Sequence, residues 1–504
     1  MTAAPAPTDA PGLPGPPLAV RPVVAVAVVV GGLLLATSGR YGWHRDELYF
    51  VAAGRRLAWG YPDQGPLVPL LARAADVLAP GSLTAYRLPA VLAAVGVVML
   101  SALLARDLGG RAVAQVLTAV VVGGGAITLA LGHLFVTASI DVLIWTATVW
   151  LTVRVLRTGQ ERWWLAVGAV VGVGLLNKTL PVVLVVGLLV GALLTPAVRP
   201  RLRSGWLWAG AAVALACWAP NVAWQAAHGW PQAELASQIR AEYGTADERI
   251  GFAVLQLAMF GPAGLVLWVT GLVASLRSPR REWQPVLAWA WITVLAVFVV
   301  TAGQGYYPAA VYPPLIAAGA VVFQDRWPSR RAGAALVAAA VILTLPPLPS
   351  ALPVLPAATL AGSPLAGLGE NQFETVGWPE FVAQVAAAHG TVPAADRASA
   401  VVFTSNYGEA GAVELLGPAH GLPAAYSGHN AYAAWGPPPA TARYAVVVSP
   451  GDPPEVFEGC VRRGAVRNAE GVPNEESTEA VIHVCPAPVA GWAAAWPRLT
   501  HLSS

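Results

Sequence analysis

The chain has 504 residues, 56% hydrophobic and only 11% charged, with a formal net charge of +3 and a mean hydropathy of +0.58. Soluble globular domains carry about 25% charged residues, so this composition excludes an ordinary soluble enzyme and marks an integral membrane protein. Three cysteines are too few for a disulfide scaffold; Cys217 lies in an apolar run, while Cys460 and Cys485 could pair if their region faces an oxidising exterior.

Residues 1–20 are rich in Pro and Ala and lack a basic n-region. They read as a disordered tail rather than a cleavable signal peptide. A transmembrane domain follows over 21–350, divided into about eleven apolar runs near 20–38, 88–105, 112–130, 139–153, 163–177, 179–195, 205–222, 252–276, 284–301, 306–323 and 332–350. A helix of about 20 apolar residues spans a bilayer, so the expectation is an all-α polytopic membrane protein. Alternate connections hold the basic residues: Arg106 and Arg111; Arg154, Arg157 and Arg162; Arg199, Arg201 and Arg203; Arg277, Arg280 and Arg281; Arg326, Arg330 and Arg331. Such clustering marks cytoplasmic loops. It predicts a multi-pass protein of the cell membrane, with a cytoplasmic N-terminus and an extracytoplasmic C-terminal domain. Gly123-Gly124-Gly125 falls inside an apolar run and reads as a helix-packing site.

Two external loops are long. The first, 39–87, contains the amphipathic stretches Leu48 to Leu57 and Leu67 to Leu78, read as interfacial helices lying on the membrane. The second, 223–251, carries Trp224, Trp230, Glu234, Arg240, Glu242 and Tyr243 and reads as a lid. A Pro-rich linker at 351–370 leads to a polar C-terminal segment, 371–504. There Ala400 to Thr404 and Tyr444 to Ser449 read as strands and Gly408 to Leu416 as a helix, which predicts a small α/β domain. Residues 351–504 hold 13 acidic and 6 basic residues, a balance unsuited to nucleic acid.

The chemistry concentrates on the outer side. Arg45-Asp46-Glu47 follows the first apolar run, and ionisable groups at a membrane are rare and usually functional. Acidic residues also favour the first turn of a helix with no chemical role. Neighbours on a helix diverge by about 100°, so one carboxylate would act as a base and the other as its orienting partner. Asp63, in Tyr61-Pro62-Asp63-Gln64-Gly65-Pro66, has turn chemistry as its alternative. Lys178 is the one lysine among 30 Lys and Arg residues. A lone lysine in Leu176-Asn177-Lys178 suggests a compact ammonium chosen for an anionic phosphate; a snorkelling interfacial lysine is the plainer reading. Arg45, Arg87 and His133, with Asp141 near the last, could hold phosphate or sugar. Tyr306 and Tyr307 suit an aromatic belt or a stacking surface for sugar or lipid. Walker A, Rossmann and His/Cys metal spacings are missing from the sequence, so neither a bound nucleotide nor a metal is expected.

Several of these segments together resemble the membrane-embedded GT-C glycosyltransferases, the superfamily of protein O-mannosyltransferases and lipid A aminoarabinose transferases. They are Arg45-Asp46-Glu47-Leu48-Tyr49, Trp59-Gly60-Tyr61-Pro62-Asp63-Gln64, Tyr86-Arg87-Leu88-Pro89, Gly132-His133-Leu134-Phe135, Gly174-Leu175-Leu176-Asn177-Lys178 and Gly305-Tyr306-Tyr307. In the tail, Asn406-Tyr407-Gly408-Glu409-Ala410 and Tyr426-Ser427-Gly428-His429-Asn430 extend the similarity. The resemblance implies a polyprenyl-phosphate sugar donor, inverting transfer on the outer leaflet, and a protein, lipid or cell-wall glycan acceptor. Asp46 would take the acceptor proton and Glu47 support it, both counted as catalytic. Lys178 and Arg87 would stabilise the departing phosphate, and no cofactor is implied beyond the lipid-linked donor. Two departures stand out. Asp63-Gln64-Gly65-Pro66 replaces a Pro pair, which would loosen the loop, and Gln304 stands where a basic residue is expected. A transporter or lipid flippase is the alternative from another class, but it would set its charges near the midplane of broken helices rather than on one face. A catalytically idle, glycan-binding member is the third reading, and Tyr407, Glu409, His429 and Asn430 could hold acceptor specificity or be structural.

Overall fold

A computed structural model describes residues 15–277 and 281–503. Along its first part run α1 (Val20–Thr37), α2 (Arg45–Arg55), α3 (Leu67–Leu78), α4 (Leu83–Asp107), α5 (Ala112–Gly123), α6 (Ala126–His133), α7 (Thr137–Thr158) and α8 (Trp164–Leu175). There follow α9 (Pro181–Leu194), α10 (Gly205–Ala227), α11 (Pro231–Glu242), α12 (Ala246–Ala258), α13 (Gly261–Arg277), α14 (Pro285–Thr301), α15 (Pro313–Arg326) and α16 (Arg330–Thr344).

Every apolar run falls on helix, but eleven full crossings are not found. Among the described residues, α1, α4, α7 and α10 are long and apolar enough to span a bilayer, and up to six spans result if each of two bent helix pairs counts as one. The shortfall is one of length. At about 1.5 Å per residue, the 12 residues of α8 and 14 of α9 reach well short of a hydrocarbon core of about 30 Å. Helices α5 and α6 meet at 57°, and α12 and α13 at 89°. The run Gly123-Gly124-Gly125 is where α5 ends and the chain turns, and it packs closely as expected, since Cβ atoms there would lie 2.9 Å from Val98, 2.7 Å from Thr344 and 2.6 Å from Phe260.

Small residues let the helices approach closely. A Cβ on Gly168 of α8 would lie 2.0 Å from the Gly210 carbonyl oxygen of α10, so only glycine permits that crossing. The basic connections gather at one end of the bundle. Arg157 after α7 pairs with Asp107 at the end of α4 (3.1 Å), and Arg111 with Asp325 of α15 (3.5 Å); Arg280 lies outside the described residues. Helix α4 separates this end from Arg87 in its first turns.

Of the expected disordered tail, 1–14 lies outside the described residues, and the stretch just before α1 is tied down. Pro16 and Pro17 carbonyls accept from Arg106 Nε (2.8 Å) and Gln115 Nε2 (3.1 Å). The two expected interfacial helices differ from one another. On α3, Leu70, Val77 and Leu78 are exposed, as such a helix requires. Helix α2 instead buries every residue from Glu47 to Gly54, because α3 covers one side and the helix Tyr407–Leu416 the other. The expected lid, 223–251, comprises the end of α10, α11 and the start of α12.

The C-terminal part is a five-stranded sheet, β1 (Val401–Thr404), β2 (Ala425–Ser427), β3 (Tyr444–Pro450), β4 (Val461–Ala465) and β5 (Ala480–Pro486), in the order β2-β1-β3-β5-β4. Strands β2, β1 and β3 are parallel, with Val402 opposite both Ala425 and Val446; β5 runs antiparallel to β3 and β4. All four residues of β1 are buried, as a central parallel strand covered on both faces should be. Cys460 and Cys485 form a disulfide. Helix Tyr407–Leu416 lies directly on α2: a Cβ on Gly411 would come within 2.8 Å of the Leu48 backbone.

Candidate active site

The site grows from the first turn of α2. His44 caps it, its Nδ1 accepting from Asp46 N at 3.2 Å and its own N–H donating to Glu47 Oε2 at 2.9 Å. Burial depresses the His44 pKa, which suits an acceptor nitrogen. The turn then sends the two carboxylates in different directions.

Glu47 is fully buried. Its Oε1 accepts from Arg87 Nε (2.8 Å) and Phe135 N (2.9 Å), its Oε2 from Arg87 Nη2 (2.8 Å) and His44 N. Arg87 is equally buried. Its remaining N–H groups reach the Ser38 carbonyl (2.8 Å), the Gly42 carbonyl (2.8 Å) and His133 Nε2 (3.2 Å). A guanidinium has five N–H donors, and all five are engaged inside the protein. Arg87 therefore has no donor left for a departing phosphate, and Glu47 no lone pair directed at a substrate. His133 completes this cluster and is shielded from the surface by it. In this arrangement Arg87 is turned to Glu47 and to His133.

Asp46 is open by comparison. Its Oδ1 accepts from the Tyr407 hydroxyl at 2.8 Å, and the side chain is only partly buried. Tyr407 comes from the C-terminal domain, so the carboxylate sits where the two parts of the molecule meet. Arg45 turns toward the C-terminal domain. It pairs with Glu475, donates to Tyr407 at 3.4 Å and lies 5.2 Å over that ring.

A second group gathers around Lys178. Gly65 N donates to the Asn177 carbonyl and Leu67 N to the Leu176 carbonyl, each at 3.0 Å. A Cβ on Gly65 would lie 2.1 Å from the Leu176 oxygen, so the glycine that replaces a proline here lets two loops be stitched together. The loop is thus held rather than loosened. This seam brings Asp63 toward Lys178. The ammonium donates to the Tyr307 hydroxyl at 3.3 Å, sits 4.8 Å over that ring, and faces Asp141 and Asp63. Asn177 Nδ2 holds Asp141 Oδ1 at 2.8 Å, leaving Asp141 Oδ2 buried without a partner. Asp141, Lys178, Tyr306, Tyr307 and Trp145 line one small hollow. Tyr306 and Tyr307 meet edge to face at 5.0 Å.

Asp63 connects the two groups electrostatically, sensing both Lys178 and Asp46. Burial pushes its carboxyl up to about 6, while the Tyr49 hydrogen bond and Lys178 oppose the rise. Tyr49 OH donates to Asp63 Oδ1 at 2.7 Å and accepts from Ala431 N at 3.3 Å. Tyr49, Asn177 and Glu475 escaped the sequence reading of the site, and Tyr407 was not tied to Asp46. Their roles depend on partners as far as 430 positions away, which no spacing rule reveals; the tail motif at Asn406-Tyr407 was the one available signal. Beside Tyr306, an apolar groove of about 520 Å³ runs between α12, α13 and α14, lined by Phe252, Leu255, Trp268, Trp291 and Phe298, with Arg249 and Glu248 at its rim.

Comparison with known proteins fits this architecture. Residues 63–224 match the family model for dolichyl-phosphate-mannose-protein mannosyltransferase. The fold is similar to that of ArnT from Cupriavidus metallidurans bound to undecaprenyl phosphate. Identity is 15%, with 92% of this chain and 97% of that chain covered, at a TM-score of 0.57. The apo form of the same protein matches at 14% identity, covering 92% of this chain and 97% of that chain, at a TM-score of 0.56. The Archaeoglobus fulgidus oligosaccharyltransferase, complexed with Zn and sulfate, matches at 13% identity over 94% of this chain and 76% of that chain, at a TM-score of 0.48. No curated protein matches by sequence. The chain shares the overall fold of ArnT.

Proposed function

We propose that the protein is a membrane glycosyltransferase moving a sugar from a polyprenyl-phosphate donor to an acceptor hydroxyl at the outer face of the membrane, with inversion. The observation that carries this reading is the asymmetry of the adjacent carboxylates. Glu47 is saturated by Arg87 and two backbone N–H groups, whereas Asp46 is only partly buried and is oriented by Tyr407. Asp46 takes the proton of the acceptor hydroxyl as its oxygen attacks the anomeric carbon. The bond from that carbon to the phosphate oxygen breaks, and the electron pair leaves with the lipid phosphate. Fixed positive charge helps most where negative charge develops, which is the role of Lys178, held over Tyr307. Asp63 and Tyr49 position that ammonium and the loop that carries it. The apolar groove seats the prenyl chain.

Two features support the outer face. The basic connections collect at the far end of α4, and a disulfide in the C-terminal domain suits an oxidising compartment. Undecaprenyl phosphate bound to the similar ArnT fold supports a lipid-phosphate donor, and the mannosyltransferase family match supports sugar transfer. The test is sugar release from radiolabelled polyprenyl-phosphate monosaccharides by purified protein, Asp46→Asn and Lys178→Ala, with envelope extract as acceptor. Turnover of one donor, lost in both variants, is expected. No turnover of any donor while polyprenyl phosphate still binds would favour a lipid carrier instead.

A further inference from the structure

A second cavity, of about 350 Å³, opens between the start of α2 and the sheet, lined by Arg45, Glu409, His429, Glu475, Glu476 and Glu479 among others. Ligand pockets fall in the range of about 300–1,000 Å³, so it can hold one or two sugar rings. Its lining is unbalanced. Among the described residues Glu409, Glu475, Glu476 and Glu479 set four carboxyl groups against the one guanidinium of Arg45, and that guanidinium is already paired with Glu475 and lies over the Tyr407 ring. An anionic ligand would find no free cation here.

Two buried side chains in its wall lack partners. Glu476 is 4% exposed, yet neither of its carboxyl oxygens has a hydrogen-bond partner. His429 is 3% exposed, and its Nδ1 is likewise unmatched although Ser503 Oγ holds Nε2 at 2.9 Å. Buried polar groups are nearly always satisfied, so such orphans call for an explanation. Among the described residues no three acidic or histidine side chains are arranged to hold a metal, and a ligand bringing its own N–H and O–H donors would satisfy both groups. The position matters as well. His429 packs at a tilt against Tyr407, with ring centroids 4.5 Å apart, and Tyr407 holds Asp46, so a molecule in the cavity lies one ring away from the proposed base.

We infer that this cavity recognises the acceptor and that the acceptor is a hydroxyl compound carrying a protonated amine. Its ammonium meets Glu476 and Glu479, and its hydroxyls meet His429 and Glu409. The acceptor role rests on the transferase reading above, whereas the amine preference is read separately. Burial holds Glu476 above the ordinary carboxylate range, the state of an acid without a compensating positive charge.

The experiment is saturation-transfer NMR on the full-length protein in detergent, with glucosamine, N-acetylglucosamine and glucose as probes. Glucosamine is expected to bind at least about tenfold more tightly than the other two. Glu476→Gln should reduce that preference to below about threefold. Glu479→Gln, at an exposed rim position where folding is not at stake, should reduce it in the same direction. Equal binding of the three probes, a preference untouched by Glu479→Gln in folded protein, or displacement of glucosamine by millimolar Ca²⁺ through a site of its own would overturn the inference. Donor turnover measured on the same samples keeps the two readings apart. Turnover without amine preference removes this inference alone, and amine preference without turnover removes the transferase reading while the cavity stands.

Discussion

Asp46 and Glu47 are neighbours in the chain and opposites in their surroundings. Glu47 lies in a dry cluster where every lone pair and every donor of its partner Arg87 is matched. Asp46 lies at a seam between the membrane helices and the C-terminal domain, with one partner and an open side. The same carboxylate chemistry gives a fully satisfied group in the first place and, on the proposed reading, a reactive one in the second. A general base must be able to exchange one partner for a substrate, and only the half-satisfied group can.

Disrupting each half of this pair should give different phenotypes. Asp46→Asn should lower turnover by about 10²–10⁴-fold, the usual contribution of a positioned base, with the unfolding temperature unchanged; an equal loss of stability would mean that Asp46 is structural. Lys178→Ala should cost about 10²–10³ in turnover, as loss of one donor at a developing anion does, and a rise in KM alone would reassign it to ground-state binding. On the rigid side, Glu47→Gln or Arg87→Lys should destabilise the protein by about 3–5 kcal/mol, because breaking a buried pair strands the other charge. Thermal unfolding in detergent reads this, and a stable, inactive Glu47→Gln would make Glu47 a direct participant.

The seam at Gly65 is a finer test. Gly65→Ala drives a Cβ to 2.1 Å from the Leu176 oxygen, and overpacking of this kind costs about 1–3 kcal/mol. Moving Asp63 away from Lys178 should also lower kcat, while Gly32→Ala, with open space around its Cβ, should leave kcat unchanged. The smallest effect is in pH dependence. The Asp63 carboxyl is raised by burial to about 6 in the folded protein, above its unfolded value near 3.9. A raised acid pKa means that the folded state binds the proton more tightly, so Asp63 favours folding below about pH 4, and that contribution is lost as pH rises to about 6. Activity should move the other way, rising through pH 6 as the carboxylate forms beside Lys178. Asp63→Asn should flatten the stability step, and an unchanged profile would show that Asp63 does not titrate there.

The membrane class, the helical runs, the two long loops and the sheet-bearing tail were legible in the chain, because apolar periodicity and basic clusters are local signals. Asp46 and Lys178 stand out in the chain as candidates, each unusual for its position or its rarity. Eleven full crossings were not found, since hydropathy counts apolar residues and does not see a helix end at Gly124 or bend after Ala258. The surface placement of α2 also failed, because an amphipathic pattern does not say whether lipid or another helix covers its apolar face. Tertiary structure alone assigned the partners. It gave Arg87 to Glu47 across 40 positions and Tyr407 to Asp46 across 361. It also turned the acidic residues of the tail into one cavity. Composition and periodicity report how a residue interacts with solvent and with its near neighbours in the chain. Which carboxylate is free to react depends on contacts closed over hundreds of residues, and those form only when the whole chain packs.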